Sequence, residues 1–414
     1  MKNELIICFG YSQWGRWRQD QEIAMRLARE NTVIYVEAQS RRSGRLDQSS
    51  PALRWINDHL AVLRTPSQFG YGGRLPFGFL RKAVARASVQ LSKQHLFRAV
   101  DTILREIDRV PTATLFFDPL DLELAGRFGE EVTTYRVYDE PSLFPSFRLI
   151  RDVIEEVERE CLPKMDLVFA SSMFQYNRRV RVNGNTHFLP NAGDFERYHR
   201  SLTRRWNVPA DLDLVPMPRI FFAGGIDYRI DFELLHSVAR CRPDWSIVFL
   251  GNVKEDATNG AEELSHNNNV FFLGNKRPEA LPGYLHHCQV SIIPYKINES
   301  TSTMYPWKVH EHLAAGKPIV ATPLPELELL GDVVSLAASP ARFVEQIDDA
   351  MERDSVGEVR ARVNVARANS WDERVEQMTS VIDEVLECRR RRCRRQAVDA
   401  VLPSNSEIPV LHGW

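Results

Sequence analysis

The stretch YPWKVHEHLAAGKPIVAT, from Tyr305 to Thr322, joins a capped helix to a buried strand. Pro306 suits the first turn of a helix, Gly316 suits a left-handed helix end, and Pro318 prevents continuation of the helix. The apolar run 319–321 then has the character of a central strand in a parallel sheet. Helices that lead directly into buried parallel strands are typical of α/β proteins, so this segment predicts that fold class.

The same segment predicts a place for an anionic ligand just before the helix. Lys308 and Glu311 are three residues apart and therefore share one helical face. The preceding residues 299–303 (ESTST) offer hydroxyl groups and backbone amides that we expect to be uncommitted, where the helix dipole favours phosphate. The pattern thus predicts a site that a nucleoside diphosphate would fit.

Residues 306–320 closely resemble the motif P-x-K-x-x-E-[YH]-L-A-x-G-K-P-[IV]-V of the glycosyltransferases with two facing Rossmann-like domains. This architecture is called GT-B, and the likeness is greatest to family-4-like members related to the teichuronic acid glycosyltransferases. The resemblance implies that Glu311 holds the ribose hydroxyls of the donor and that the amides of 300–304 hold its diphosphate. The chain has Thr303 where the broader family has a second glutamate, so that glutamate's contact with the donor sugar is not carried over.

Composition sets looser limits on the function. A chain of 414 residues with 43% apolar content is too long for one ordinary core and predicts two domains. The net charge of −2 gives no reason to expect nucleic acid as a partner. The six cysteines form no CxxC pair, and the apolar run at the N-terminus is too short for a signal sequence. We therefore expect a cytoplasmic protein whose contact with the inner membrane face is at most peripheral.

The N-terminal region predicts a strand, helix, strand unit, with a strand at 5–9, a helix at 20–30 and a strand at 33–37. The loop GYSQWG at 10–15 is not a GxGxxG, but it lies where open parallel sheets bind ligands. The string from Trp14 to Glu37 also resembles the start of the same glycosyltransferases. We expect these positions at the cleft or the acceptor: Gly10, Gln13, Trp14 and Arg18. Arg18 and Gln19 are alternatively surface residues at a helix start.

Residues 41–80 are rich in Arg, Ser, Gly, Pro and aromatic residues. We expect an acceptor-facing loop that could rest on lipid headgroups or receive a lipid-linked sugar. The alternative is a loop that only packs across the first domain.

Two carboxylates follow a predicted strand at 133–138. The segment VYDEPSLFP at 137–145 resembles the family's tyrosine-aspartate segment that faces the donor sugar. Asp139 there could bind sugar hydroxyls or accept the proton of the attacking hydroxyl, and Glu140 is the second candidate. Asp139 could instead cap a helix that begins near Ser146.

The junction between the domains is predicted at HFLPNAGDFERY, residues 187–198, which resembles the LPNGVD-type turn of the same superfamily. Asn191 could order this hinge or contact the substrate. In the second domain, the strand and glycine loop at 219–225 would let the backbone approach the donor phosphates, and Arg229 is the nearby cation. The positions to which the resemblance gives a donor-binding role are Gly224, Gly225, Arg229, Asn275, Lys276, Ser302, Thr303, Met304, Tyr305, Lys308 and Glu311.

The C-terminal region predicts an amphipathic helix at 369–386, followed by RRRRCRR at 389–395. The basic block could attract an anionic membrane surface, or it could be a solvated helix end. As nucleic-acid-binding evidence it is weak, because it has no interleaved aromatic residues.

Taken together, the sequence predicts an α/β protein with two facing Rossmann-like parallel-sheet domains and a deep interdomain cleft. The predicted parts are an acceptor-side domain at 1–200, a nucleotide-sugar domain at 201–385, and a basic tail at 386–414 that packs back toward the first domain. The resemblance implies sugar transfer from a nucleotide-diphosphate sugar to a saccharide or lipid-linked acceptor, with retained configuration, in polysaccharide or glycoconjugate biosynthesis. Asp139, Glu140 and Lys308 are the catalytic candidates. The alternatives are a nucleotide-sugar epimerase and a non-catalytic sugar-nucleotide-binding protein.

No cofactor is expected beside the donor substrate. No DxD motif lies where a metal-dependent transferase would need one, so the sequence predicts metal independence.

Overall fold

The computed structural model describes residues 1–15, 18–38, 51–65, 78–144, 147–148 and 150–401. Within these ranges the strands form two separate sheets, the first from strands at 5–188 and the second from strands at 219–336. The predicted α/β architecture with two parallel-sheet domains is confirmed. The deep cleft between the domains stays a prediction.

The first sheet has the spatial order β3-β4-β2-β1-β5-β6-β7-β8. Its strands are β1 Leu5–Phe9, β2 Thr32–Val36, β3 Ala52–Asn57, β4 Leu60–Arg64, β5 Ala113–Phe116, β6 Val132–Val137, β7 Leu167–Ala170 and β8 Thr186–Phe188. Its helices are α1 Gln19–Leu27, α2 Gly78–Glu106, α3 Arg151–Cys161 and α4 Met173–Arg179. Neighbouring strands are parallel except β3, which pairs antiparallel with β4. Because the order of the strands reverses between β1 and β5, the loops that follow these two strands border a crevice.

The hairpin of β3 and β4 corrects the prediction of a loop over 41–80. The apolar run Leu60–Leu63 is completely buried beside β2, which explains why it forms a strand. Strand β3 covers this edge and is mostly exposed. The parts of the predicted acceptor loop at 39–50 and 66–77 lie outside the described residues.

The second sheet has the order β11-β10-β9-β12-β13-β14, and all its strands are parallel. This arrangement is the doubly wound order 3-2-1-4-5-6. The strands are β9 Arg219–Ala223, β10 Ser246–Leu250, β11 Val270–Phe272, β12 Val290–Ile293, β13 Ile319–Ala321 and β14 Ser335–Leu336. The helices up to the last one are α5 Phe195–Thr203, α6 Phe232–Cys241, α7 Thr258–Ser265, α8 Leu281–His286, α9 Lys308–Ala314, α10 Pro325–Glu328, α11 Pro340–Glu352 and α12 Val356–Ala368.

The last helix, α13 Trp371–Val401, returns to the first domain. Its buried apolar side chains, including Trp371, Met378 and Ile382, pack against residues of the first sheet such as Ile6. The contact with the first domain therefore begins at Trp371, ahead of the predicted tail at 386–414, because the apolar stripe of this helix fits the first domain.

The basic block lies on the same helix α13. Arg389 pairs with Asp166, and Arg390 bonds Glu4 and Glu131, all in the first domain. The neighbouring arginines at 391, 392, 394 and 395 are exposed. In the described part of the chain, no helix is long and apolar enough to cross a membrane.

Candidate active site

Helix α9 carries the central pair of charged side chains. The Lys308 Nζ and a Glu311 carboxylate oxygen are 3.9 Å apart, as expected for residues on one helical face. The Glu311 side chain is only 4% exposed, while that of Lys308 is 24% exposed. The hydroxyl of Tyr198, on α5, donates a hydrogen bond to the Glu311 carboxylate. Tyr198 therefore holds the buried carboxylate of the pair, and the lysine lies nearer to solvent.

Burial has opposite consequences for the two groups. It raises the pKa of Glu311 to about 7, even though Lys308 and Tyr198 favour the carboxylate. It lowers the pKa of Lys308, and the charges of Arg18 and Arg229 lower it further, against the attraction of Glu311. Burial thus disfavours the charged forms of both residues. An anionic ligand that also donates hydrogen bonds would stabilise both, because its negative charge attracts Lys308 and its donors bond the Glu311 carboxylate.

Gly224, at the end of β9, creates the space that Lys308 occupies. A Cβ atom at position 224 would lie 3.0 Å from the Lys308 Cε, so a larger residue would displace the lysine stem. The group that lies close to the Gly224 backbone in this structure is the stem of Lys308. Gly225 is open by comparison, with Asp227 and Lys254 side chains at van der Waals distance from the same test atom.

The loop before α9 differs from the prediction. The amide groups of Ser302, Thr303 and Met304 donate to the carbonyls of Asn298, Ser300 and Thr301 in tight turns. The Thr303 hydroxyl donates to the Ser300 carbonyl at 2.9 Å. The Thr301 amide donates to Asn298 Oδ1. The amides of 301–304 therefore all have hydrogen-bond partners in and around the short 3-10 turn Thr301–Thr303, and a diphosphate would have to displace these bonds.

Several predicted donor residues have side chains that are already engaged. Met304 and Tyr305 are buried in the core of the second domain, and the Tyr305 hydroxyl bonds His310 Nε2 at 2.8 Å. Lys276 pairs with Asp211 at 2.6 Å, while Asn275 is exposed beside it. These positions could reach a donor through their backbone only, apart from Asn275.

Arg229 is not a free cation. Its guanidinium bonds both carboxylate oxygens of Asp227, at 2.7 and 2.6 Å, and stacks over the Tyr295 ring. These contacts and nearby Asp139 keep the pKa of Arg229 raised against its burial. Arg229 therefore contributes positive potential to the site more readily than a direct phosphate contact.

Asp139 of the first domain is close enough to the second domain for the charge of Arg229 to act on it. Burial raises its pKa, while Arg229 and Arg18 lower it. Since the same two arginines act on Lys308, they link Asp139 to the α9 pair. The alternative of a helix cap at Asp139 concerns a helix start near Ser146, and residues 145–146 lie outside the described ranges; α3 begins at Arg151. The pocket that contains Asp139 is mainly aromatic and is lined by Tyr11, Phe117, Pro119, Tyr135, Tyr138 and Phe144.

Glu140, the second catalytic candidate, has a carboxylate that is engaged by other residues of the first domain. It is buried, accepts a bond from the Ser142 hydroxyl at 3.0 Å, and pairs with Arg178 and Arg179 at 3.2 and 3.4 Å. Arg179 is itself buried and also pairs with Glu158. These contacts hold the Glu140 carboxylate with residues of the first domain, and its role as a catalytic group stays a prediction.

Replacing Glu140 with alanine should lower the free energy of unfolding by about 3 kcal/mol, because a buried arginine loses a carboxylate. Glu156, whose pair with Arg86 is exposed, is the control, and its alanine variant should lose less than about 1 kcal/mol. Urea unfolding of both variants measures this difference. Glu140→Ala protein with unchanged stability and abolished turnover would support a catalytic role.

The loop after β1 is tied to its own domain. The Trp14 amide donates to Glu37 and its ring contacts Tyr35, while the Gln13 carbonyl accepts from Gln21. Gly10 is required there because a Cβ atom would overlap the Tyr35 ring. Arg18 is the exposed member of the predicted cleft set.

Asn191 links the two domains. Its Nδ2 donates to the Tyr305 carbonyl at 3.0 Å, and its Oδ1 accepts from Arg136 at 3.3 Å. Gly193 lies so close to α9 that a Cβ atom there would be 2.9 Å from the Glu311 nitrogen. The hinge prediction for Asn191 describes these bonds better than the alternative of a direct substrate contact.

Three residues at this interface have no site role in the sequence-based prediction. They are Tyr198, Ser172 and Glu326. The pattern S-x-x-Q at 172–175 signals only a helix cap, and Glu326 follows a proline as in any helix start. Among the described residues, no three His, Cys, Asp or Glu side chains are grouped to hold a metal ion.

The chain is similar to known glycosyltransferases in part of its sequence and in its fold. Residues 217–353 match the family described as glycosyl transferases group 1. The chain is 38% identical over 251 residues to TuaH of Bacillus subtilis (strain 168), a candidate teichuronic acid biosynthesis glycosyltransferase. That match spans 56% of this chain and 59% of TuaH, so it covers little more than half of the relative.

Solved structures share the fold at low identity. Sucrose-phosphate synthase from Thermosynechococcus elongatus has a TM-score of 0.68 and 15% identity, over 93% of this chain and 100% of that one. Anabaena Alr3699/HepE in complex with UDP and glucose has a TM-score of 0.59 and 13% identity, over 92% and 99%. Residues 217–353 are therefore a glycosyl transferases group 1 domain, in a chain with the GT-B fold of the glycosyltransferases.

Proposed function

We propose that this protein transfers a sugar from a nucleotide-diphosphate sugar to a hydroxyl acceptor. The observation that carries the proposal is the Lys308 and Glu311 pair on α9, inside the matched family domain and beside the Gly224 loop. A carboxylate at this depth can accept hydrogen bonds from ribose hydroxyls. The lysine above it can balance a diphosphate as a compact charge.

In this proposal, the leaving diphosphate is the group that the site stabilises. Lys308 lies nearer to solvent than Glu311, and Arg229 and Arg18 add positive potential around it. Positioned charges of this kind lower the barrier because they need not reorganise during bond breaking. Retention of the anomeric configuration is part of the proposal through the family resemblance alone.

Asp139 is proposed to receive the acceptor hydroxyl or a donor-sugar hydroxyl. Its pocket of aromatic rings suits the apolar face of a sugar, and its carboxylate suits a hydroxyl group. TuaH, named for teichuronic acid, and the structurally similar WaaG, named for lipopolysaccharide biosynthesis, support a role in envelope polysaccharide or glycoconjugate synthesis. Attraction of the exposed arginines of α13 to an anionic membrane surface would bring the enzyme to a lipid-linked acceptor.

A non-catalytic sugar-nucleotide-binding protein is the second candidate. Thr303 is buried and its hydroxyl is bonded to Ser300, so position 303 offers the donor sugar no carboxylate. Such a protein would bind nucleotide without turnover.

The first test is thermal unfolding with UDP, GDP, CDP, ADP and dTDP, each with magnesium and with excess EDTA. A ligand that binds only the folded state raises the apparent melting temperature, by an amount set by its concentration relative to Kd. We expect one base to give a selective shift that EDTA leaves unchanged. Glu311→Ala protein should lose the shift. The absence of a shift with all five nucleotides would contradict the proposal, and a shift only with magnesium would contradict metal independence.

A further inference from the structure

Ser172 makes two hydrogen bonds that lead in different directions. As the residue before α4, it accepts the Gln175 amide at 3.2 Å and so caps that helix in the first domain. Its hydroxyl also donates to the Thr303 carbonyl of the second domain at 2.9 Å. Both Ser172 and Thr303 are buried. The single hydroxyl therefore joins a helix cap of one domain to the loop that precedes α9 in the other.

Glu326 makes a second contact across the same boundary. This residue of α10 is 2% exposed, and its carboxylate accepts the Met173 amide at 2.7 Å and also the Phe174 amide. These are the first amides of α4, which have no partner within the helix. The second domain thus supplies a partner for the helix that Ser172 caps, directly beside the Ser172 to Thr303 bond.

The bond from Asn191 to the Tyr305 carbonyl is a third contact, on the other side of the loop. The carbonyl groups of Thr303 and Tyr305 therefore both accept hydrogen bonds from side chains that precede the second domain, those of Ser172 and Asn191. Between them lies Met304, and three residues after Tyr305 comes Lys308. The position of the loop that leads into the Lys308 and Glu311 pair depends on where the first domain lies.

We propose that Ser172 is a positioning residue, which holds the 300–305 loop through the Thr303 carbonyl and thereby couples domain arrangement to the geometry of the donor site. This inference rests on the proposed function for its catalytic consequence. Glu326 supports the contact by fixing the first turn of α4. When the two domains separate, water replaces these partners and the loop is released from the first domain. The donor site is then complete only in the arrangement seen here.

Five variants separate this role from the helix cap. Ser172→Ala removes both bonds, whereas Ser172→Thr keeps a hydroxyl that can accept and donate. Ser355→Ala is the matched control, because Ser355 caps α12 by accepting the Glu358 amide at 3.3 Å and is exposed. Glu326→Gln keeps one oxygen that can accept the Met173 amide, and Glu326→Ala does not.

The experiment measures hydrogen exchange of the peptide that covers 298–305, together with kcat and KM for the nucleotide sugar identified by the binding panel. In Ser172→Ala we expect the loop amides to exchange at least tenfold faster and kcat to fall at least tenfold, with KM changed less than threefold. Ser172→Thr and Ser355→Ala should resemble the unaltered protein in both readouts. Glu326→Ala should follow Ser172→Ala, with a smaller effect from Glu326→Gln.

The two readouts distinguish failure of the inference from failure of the proposed function. Unchanged loop exchange in Ser172→Ala overturns the coupling, whether or not the protein turns over any sugar. Equal acceleration in Ser355→Ala also overturns it, because the effect would then be general loss of a helix cap. If the unaltered protein binds nucleotide without turnover, exchange still decides the coupling, and the proposed transfer alone fails.

Discussion

Replacing Glu311 with glutamine is expected to weaken nucleoside diphosphate binding about ten- to hundredfold. The reason is that hydrogen bonds from ribose hydroxyls to a charged acceptor contribute about 1.5–3 kcal/mol, and glutamine offers a neutral oxygen in place of the carboxylate. Isothermal titration calorimetry at pH 8 measures the change. The Tyr198 hydroxyl can still donate to the glutamine oxygen, so the site should keep its shape.

The same substitution should stabilise the free protein at high pH. The pKa of Glu311 is raised from about 4.5 to about 7 by burial, so the folded state favours the protonated carboxyl. The contribution of this group to stability is therefore fully present below pH 4.5 and is lost as the pH rises through 7. Since glutamine does not titrate, the variant should be more stable than the unaltered protein by on the order of 3 kcal/mol at pH 8.

Urea unfolding of both proteins between pH 5 and pH 8 tests the titration directly. The difference in unfolding free energy should be small at pH 5 and should grow through pH 7. Lys308 does not reverse this expectation, because its attraction is one of the effects already opposing the raised pKa. A glutamine variant that is less stable at pH 8, or that binds nucleotide as tightly as before, would show that Glu311 only supports the fold.

Replacing Lys308 with methionine is expected to lower kcat about 100- to 1000-fold, with a smaller effect on KM. Loss of one positioned group that stabilises developing charge typically has this effect on turnover. Methionine keeps the apolar stem that lies against Gly224. Arginine should not restore the rate, because the glycine leaves room for a narrow stem and the planar guanidinium needs a different geometry.

Lys317 provides the control for this experiment. It belongs to the same motif and is also half-buried, but it lies beyond the other end of α9, where its Nζ donates to the Cys288 carbonyl. Lys317→Met should change stability and leave kcat within about threefold. If Lys308→Met and Lys317→Met reduce kcat equally, the motif lysines act through the fold and the role of Lys308 in departure of the diphosphate is wrong.

The sequence predicted elements well where the pattern was local. The helix and strand on either side of Gly316 were predicted from the positions of proline and glycine, and the buried strands were predicted from their apolar runs. Strand β3 of the hairpin at 52–64 was missed because it is an exposed edge strand. The buried run of β4 was missed because the residues around it have the composition of a loop. Periodicity reports burial, and an edge strand buries little.

The site was harder to predict, because its contacts join distant parts of the chain. Glu140 and Asp139 are adjacent in sequence, yet the exposed Arg178 and the buried Arg179 hold the first, and the aromatic pocket contains the second. The sequence pattern does not show that the amides of 301–304 are hydrogen-bonded, and their partners are visible only in the turn that the structure forms. Ser172 has the signature of a cap, which conceals its bond to the other domain. This last contact depends on how the two domains face each other.

The most direct test of glycosyl transfer is to incubate the protein with the nucleotide sugar selected by the binding panel and an extract of envelope glycolipids. Nucleotide release and the mass of the acceptor are followed together by liquid chromatography and mass spectrometry. The proposal predicts release of nucleoside diphosphate in step with the gain of one sugar by the acceptor, and loss of both in Lys308→Met. An intact nucleotide whose sugar has been isomerised without acceptor, or tight binding with neither release nor transfer, would contradict it.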